Sequence, residues 1–535
     1  MGSNGVRFSV TDLSPPTSRI LPTLYIDRAG ISLYDAQYVD GVKVPIPEDT
    51  MDAVIQTLVR FKQTCQDFGV PDNQIRIIAT EATRVALNSE EYRQKIKDAT
   101  SWDVEMLPKE EEGRTGAMGV ASSFENVRGL MMDLGGGSTQ ITWLISKDGE
   151  LQMSPAGSVS MPYGAAALTR GLSDANKSGG SAMSDFRDGI TGSLKAAVEK
   201  IGIPEELLND VNSPEGLNLY MSGGGFRGWG FLLMSQHAVS PYPIPIINGF
   251  KTSINQFQNT NMVQKAVQGE EEVFRVSERR ASQVPAVAFL VSCVMEALPA
   301  VRNVHFAQGG VREGALFSSL DPATRAQHPF VAATKPYATA DSDKIATLLW
   351  NVAPESVRPQ CPILKSLAQG MYIHNSLNKD IQAAAALRST TTGALGAVHG
   401  ADHRERALLA VMLNERWGGA KALSPSDSKF RSNLLELLGD EAWMALFFGR
   451  VAALIGKVFP AGVLTSSQSS ALGDTAAKVL PASLTTSTVF SVETDPETAK
   501  YEGLIDAVEN IGKLGKKKHW PSSDGHKIET QITSA

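Results

Sequence analysis

The residues best suited to chemistry stand together at Asp133-Leu134-Gly135-Gly136-Gly137-Ser138-Thr139-Gln140. A carboxylate, three glycines and a pair of hydroxyls separate two apolar runs, residues 130–132 and 141–145. Consecutive glycines adopt backbone angles closed to other residues and carry no Cβ, so a phosphate can lie directly on the N–H groups. Asp133, closing the first run, can hold hydrated Mg²⁺ (or Mn²⁺), because such ions bind one or two carboxylates together with waters and phosphate oxygens. An ordinary glycine-rich hairpin is the competing reading, since a glycine loop alone is weak evidence. The punctuation recurs, however. Ser222-Gly223-Gly224-Gly225 follows the apolar run 217–221, Gly309-Gly310-Val311-Arg312-Glu313-Gly314 follows 304–307, and Gly2 opens the chain. Phosphate-sized openings at successive strand ends are what a ligand cleft between two α/β lobes requires.

The elements that must position these turns are legible from periodicity. Residues 5–12 and 24–37 alternate apolar and polar around a Pro-bearing link, the pattern of antiparallel strands. Val54, Leu58, Phe61 and Cys65 have helical spacing within 51–68, which Gly69 and Pro71 terminate. Strands are expected at 75–80 and 104–107, with helices after Asn88 or Ser89 and over 110–124. The run around Gly135 reads as strand, tight turn, strand. Beyond it, helices are expected at 163–172, 185–201 and 282–298, a surface loop at 177–184, and glycine turns after the strands ending at Met221 and Ala307. Hairpin strands followed by strand–helix alternation give an α/β domain with a mixed sheet. From about residue 321 the chain reads as helices, many of them Ala-rich. The expected organisation is lobe I at 1–150, lobe II at 151–320, and a mostly helical C-terminal domain at 321–535.

A chain of 535 residues exceeds one core, and 42% hydrophobic with 20% charged residues is ordinary globular composition. A formal charge of -7 gives no chain-wide reason to expect nucleic acid. Cys65, Cys293 and Cys361 are odd in number and form no CxxC pair, which argues for a reducing compartment and against zinc. No run approaches the roughly 18 apolar residues of a membrane span. The opening residues carry no hydrophobic signal core, and Val6 stands where a myristoylation motif requires Ser or Thr. A soluble, cytoplasmic protein without a membrane or nucleic-acid partner is expected.

Six motifs, in order, resemble the exopolyphosphatase/guanosine-pentaphosphatase (Ppx/GppA) family, and within it the fungal retrograde-regulation proteins. They are Gly2-Ser3-Asn4-Gly5-Val6-Arg7, Ala82-Thr83-Arg84-Val85-Ala86-Leu87-Asn88, Glu110-Glu111-Glu112-Gly113-Arg114, residues 133–140, Glu278-Arg279-Arg280 with Pro285, and Gly310-Val311-Arg312-Glu313-Gly314. The resemblance covers about residues 1 to 320. It implies two actin-like, ribonuclease-H-like lobes with phosphates in the cleft. Gly2, Ser3 and Asn4 would face Gly135, Gly136, Gly137 and Ser138 across the phosphates, with Arg279 and Arg312 as further phosphate ligands. Arg84 would clamp a terminal phosphate, a role suited to a planar guanidinium; a helix-cap or surface arginine is the alternative. Glu112 occupies the position of the general base, its pKa raised by neighbouring Glu110 and Glu111. An acidic first helical turn would explain the same three residues. The implied ligand is polyphosphate or a phosphorylated nucleotide. The implied activity is either phosphoric anhydride hydrolysis or ligand sensing passed to a regulatory protein partner, relaying mitochondrial status to the nucleus. A homodimer is compatible with both.

Three departures bear on activity. The family's opening strand carries an Asp ahead of the Gly-Ser-Asn turn, whereas this sequence opens at Met1-Gly2, so exposed strand edges that must be covered are expected. Gln140 stands where bacterial members have Glu, and an amide is neither base nor charged ligand. The His-carboxylate pair of the family's HD-type helical domain is absent around residues 386–391. Nearby His399 and His403, with Asp402 between, are expected to be packing or surface residues, with a metal site as the lesser alternative.

Overall fold

The computed structural model describes residues 1–2, 5–39, 42–261, 263, 278–352, 361–464, 487–494, 502–515 and 527–534. The chain forms two compact units. One comprises Met1–Ser14, Leu21–His237 and Ile247–Ala326; the other comprises Pro15–Ile20, Ala238–Ile246 and Gln327–Ala535.

The first unit begins with β1 (Val6–Thr11), antiparallel to β2 (Thr23–Ala29), followed by the two-residue strands β3 (Tyr38–Val39) and β4 (Val42–Lys43). Helix α1 (Glu48–Asp67) buries Met51, Val54, Leu58, Phe61 and Cys65 along one stripe. Glu48 and Asp49 lie in its first turn, where acidic residues complement the helix dipole. Phe8 of β1 stacks on Phe61 with ring centroids 4.3 Å apart, tying this hairpin to α1. Next come β5 (Ile77–Ala79), the single turn α2 (Glu81–Arg84), α3 (Ser89–Thr100), β6 (Val104–Met106), parallel to β5, and α4 (Lys109–Ser122).

A mixed seven-stranded sheet follows. Its strands are β7 (Arg128–Leu134), β8 (Thr139–Lys147), β9 (Glu150–Met153), β10 (Val159–Met161), β11 (Leu217–Ser222), β12 (Phe250–Ser253) and β13 (Val301–Phe306). The order is β10-β8-β7-β11-β13-β12, with β9 paired to β8. β7, β11 and β13 run parallel at the centre, and their Leu130, Met132, Leu219, Met221, Val304 and Phe306 are fully buried, as strands covered on both faces require. Its helices are α5 (Ala165–Ser178), α6 (Ala182–Ile201), α7 (Glu205–Asp210), α8 (Gly223–Ser235), α9 (Ile254–Phe257), α10 (Glu278–Ala297), α11 (Val311–Ser318) and α12 (Pro322–Arg325).

Three expectations change. The proposed boundary at residue 150 falls on the first residue of β9, inside this continuous sheet. The loop expected at 177–184 is largely helical, because α5 runs to Ser178 and α6 starts at Ala182. Gly223-Gly224-Gly225 opens α8 instead of forming a turn. Gly223 has φ +89°, and a Cβ there would lie 2.3 Å from the Leu134 carbonyl oxygen, so only glycine lets this helix start against β7.

The second unit is mostly helical, as expected: α13 (Pro329–Thr334), α14 (Ser342–Asn351), α15 (Cys361–Gly370), α16 (Lys379–Arg388), α17 (His403–Arg416), α18 (Pro425–Leu438), α19 (Ala442–Val458) and α20 (Glu502–Gly512). Two parallel strands, β14 (Ser487–Thr494) and β15 (Lys527–Ser534), pair with each other. Helix α17 is the centre of its core, buried continuously from Arg406 to Glu415 and packed on α15, α16, α18 and α19. Arg406 is fully enclosed there. Its guanidinium donates to the carbonyls of Thr390, Gly396 and Val398, satisfying a charge that would otherwise be costly to bury. Among the described residues, no helix is long and apolar enough to cross a membrane.

Candidate functional site

Asp133 is half-buried at the end of β7, directly opposite Gln140 in the β7–β8 ladder. The glycine turn between them is closed by Gly135 N–H donating to Ser138 O at 3.0 Å. Its carbonyls are then taken by the start of α5. Ala165 N–H donates to Gly135 O at 2.9 Å, Ala166 N–H to Gly136 O at 2.9 Å, and Gly164 N–H to Gly137 O at 3.0 Å. These bonds satisfy helix amides that lack intrahelical partners. In a trans peptide the N–H points opposite to the preceding C=O. The N–H groups of Gly136, Gly137 and Ser138 therefore turn away from α5, the orientation an anion cradle needs. Gln140 Nε2 donates to Ser138 Oγ at 3.2 Å, so the neutral amide braces the loop.

Glu112 lies in the first turn of α4, and both terminal nitrogens of Arg84 stand 3.2 Å from its Oε2. Arg84 also donates to the Leu107 carbonyl, which fixes the guanidinium against the end of β6. Burial raises the Glu112 carboxyl above its ordinary value; the charge and hydrogen bonds of Arg84 oppose this, and the nearby charge of Glu81 adds to it. The expected source of repulsion is corrected here. Glu110 and Glu111 are solvent-exposed on the first turn of α4, whereas Glu81 approaches from α2.

These groups meet on one cavity of about 1100 Å³. Gly2, Glu112, Asp133, Gly135, Gly136 and Arg312 all line it. Arg84 reaches the cavity only through Glu112, and Arg84, Gly137 and Ser138 are not among the residues that line it. Ser3 and Asn4 lie outside the described residues, as does the Arg279 side chain. Sequence reasoning passed over Arg7, Arg28, Arg227 and Glu313, which also line the cavity. Arg7 is surrounded by protein yet exposed to solvent within the cavity. Its pKa is lowered by burial and by Arg28 and Arg312, against the pull of Glu313 and Asp133. Glu313 accepts from Gly310 N–H at 3.0 Å and from Arg312 Nε at 3.0 Å, fixing the turn into α11. Arg7 sits within the first glycine motif, so its position there was the available signal.

The donor set fits a phosphate-shared Mg²⁺ or Mn²⁺ ion. Asp133 supplies one carboxylate at the glycine loop, and such ions take their remaining ligands from water and phosphate. His403 and Asp402 are engaged in other contacts. His403 has Nδ1 at 2.7 Å from the Tyr242 hydroxyl and Nε2 at 2.7 Å from the Ile246 carbonyl, so both ring nitrogens are engaged. Asp402 instead caps α17, accepting from Glu405 N–H at 2.7 Å.

Residues 14–323 match the Ppx/GppA phosphatase family, and residues 328–535 match the RTG2 C-terminal domain. Retrograde regulation protein 2 of Saccharomyces cerevisiae is 40% identical over 487 residues, covering 86% of this chain and 80% of that protein. A guanosine-5'-triphosphate,3'-diphosphate pyrophosphatase of Photobacterium profundum is 35% identical over 97 residues, 18% of this chain and 19% of that protein. Among solved structures, the Aquifex aeolicus Ppx/GppA phosphatase aligns at TM-score 0.44 and 22% identity, covering 60% of this chain and 97% of that one. An exopolyphosphatase from Cytophaga hutchinsonii aligns at TM-score 0.42 and 18% identity, with 60% and 97% covered. The fold class is α/β, with two actin-like lobes and a mostly helical C-terminal region. This chain belongs to the Ppx/GppA phosphatase family.

Proposed function

We propose that this protein binds polyphosphate or a phosphorylated nucleotide in the cavity between Glu112 and the Gly135–Ser138 turn, and acts in mitochondria-to-nucleus retrograde signalling from the cytoplasm through a regulatory protein partner. The observation that carries the binding is the convergence of Gly2, Asp133, Gly135, Gly136 and Arg312 on one cavity. Loop amides and guanidiniums neutralise phosphate oxygens, and the glycines let the anion approach the backbone. The signalling role draws on similarity to the yeast retrograde regulation protein.

A second reading is hydrolysis of a terminal phosphoanhydride. Its support is the raised pKa of Glu112, which suits a general base, with Arg84 positioned beside it. Glu112 would take a proton from water as the water oxygen bonds to the terminal phosphorus and the bridging P–O bond breaks, releasing orthophosphate from the shortened phosphate chain. A divalent ion at Asp133, when bound, would neutralise charge on the phosphate oxygens.

Calorimetry of the purified chain with Mg²⁺ tests both readings. Saturable binding of polyphosphate or of a guanosine polyphosphate supports the first, and absence of binding by either removes both. Glu112→Gln is expected to retain the ligand; phosphate release that survives this change would assign the chemistry elsewhere.

A further inference from the structure

Tyr34 joins the segment that carries Arg84 to the glycine turn of the seven-stranded sheet. It precedes a single 3₁₀ turn, Asp35–Gln37, between β2 and β3. Gln37 is buried and fastens this turn, its Nε2 donating to Leu33 O at 2.7 Å and to Ala82 O at 2.9 Å. Farther along, Lys43 Nζ donates to Val85 O at 2.6 Å, and Asn88 exchanges side-chain hydrogen bonds with the Ile46 backbone at 2.8 and 3.0 Å. Four bonds therefore tie the surroundings of Tyr34 to residues 82–88, where Arg84 meets Glu112. In the other direction, the Tyr34 ring lies against the glycine turn. A Cβ added at Gly137 would stand 3.3 Å from Tyr34 Cε2. Arg170 of α5 donates to the Tyr34 hydroxyl at 2.9 Å, and its guanidinium carbon lies 5.4 Å from the ring centre. Helix α5 in turn holds the carbonyls of Gly135, Gly136 and Gly137.

We propose that Tyr34 and Arg170 form a latch that holds the Arg84 segment against the glycine turn, which makes Tyr34 a positioning residue for phosphate bound in the cleft. This role rests on the phosphate-binding reading above. Neither Tyr34 nor Gly137 lines the cavity, so the latch closes without occupying the phosphate site. Its parts suit repeated opening. A hydrogen bond to a neutral hydroxyl and a cation–π contact of an exposed arginine are each weak, and their sum depends on the ring resting on a backbone that has no Cβ. Closure keeps Arg84 and the turn together around the ligand, and opening sets the rate at which the ligand leaves.

The probe is fluorescein-end-labelled polyphosphate with Mg²⁺, bound to the full chain and chased with excess unlabelled polyphosphate. Tyr34→Ala and Arg170→Ala should each release it about tenfold faster at unchanged stoichiometry, whereas Tyr34→Phe, which keeps the ring on Gly137, should recover most of the parental rate. The double variant should match the single variants, because both changes open one contact. Parental release from both single variants, or multiplied effects in the double variant, would overturn the proposal. A second readout needs no ligand. In the free chain, Arg170→Ala should speed amide exchange about tenfold in residues 33–39 and 135–138 and leave β11 and β13 unchanged. If the parent binds no polyphosphate, the phosphate-binding reading falls, and unchanged exchange in those residues would remove the latch as well.

Discussion

Glu112 owes its raised pKa to enclosure at the base of α4, with the Glu81 charge adding to it and Arg84 holding it in place. A raised carboxyl pKa means that the ionised base forms at higher pH than for an ordinary glutamate. Any phosphate release should therefore rise with pH along an acid limb displaced above about 4.3. Glu112→Gln should abolish that limb and lower turnover by ~10²-fold or more, with ligand affinity nearly unchanged. The stability consequence has the opposite direction. The folded state keeps the Glu112 proton to higher pH than the unfolded state, so this residue's contribution to stability is lost as pH rises through its folded pKa. Urea unfolding near neutral pH should find Glu112→Gln no less stable than the parent; a clear loss would contradict the assignment. At this scale residue type alone drew attention to Asp133 and the Gly135 turn, whereas Glu112 was singled out only by the family resemblance. The approach of Glu81 to Glu112 was not legible, because proximity between residues 31 apart, with a helix and a strand between them, leaves no mark in spacing.

Helices α4 and α11 are in direct backbone contact. A Cβ added at Gly314 would lie 1.8 Å from the Thr115 carbonyl oxygen, and one at Gly119 would lie 2.1 Å from the Gly310 carbonyl oxygen. Glu112 sits one turn before Thr115, and Arg312 two residues before Gly314, so this contact sets the spacing of the two side chains. Gly314→Ala should cost about 1–3 kcal/mol in urea unfolding, since backbone, and not a mobile side chain, must yield. In the second unit, burial and the charge of Glu405 push the Asp402 carboxyl up to about 7 while it caps α17. That carboxyl is easiest to accommodate when protonated, so its contribution to stability falls as pH rises from its unfolded value toward 7. Asp402→Asn keeps the acceptor without the charge and should raise the unfolding midpoint at pH 8, whereas Asp402→Ala should lower stability by about 1 kcal/mol. The strands ending at Met221 and Ala307 were legible from apolar runs. The glycines after them were read as turns, because glycine's low helix propensity does not reveal that a tight strand contact requires it at a helix start.

For the whole molecule, the α/β part and the helical remainder could be separated from composition and periodicity. The boundary between lobes could not, because the pairing of β7 with β11 spans more than 80 residues and no local signal records it. Sequence also scattered the arginines of the cavity over residues 7, 28, 76, 227 and 312, so that an overall charge of -7 concealed their convergence. Polyphosphate affinity should accordingly fall several-fold between about 50 and 200 mM KCl, over which the screening length shortens from ~14 to ~7 Å. An affinity indifferent to salt would place the ligand away from these arginines. The glycine turn, finally, is fastened to α5 by three consecutive carbonyls, so the two cannot shift independently. A phosphate that draws on the turn also pulls a fourteen-residue rod whose flank rests on α10 and α6. Under the proposed binding, occupancy of the cleft would reach α10 and α6 through this rod, and slower amide exchange in α10 on adding polyphosphate would show it.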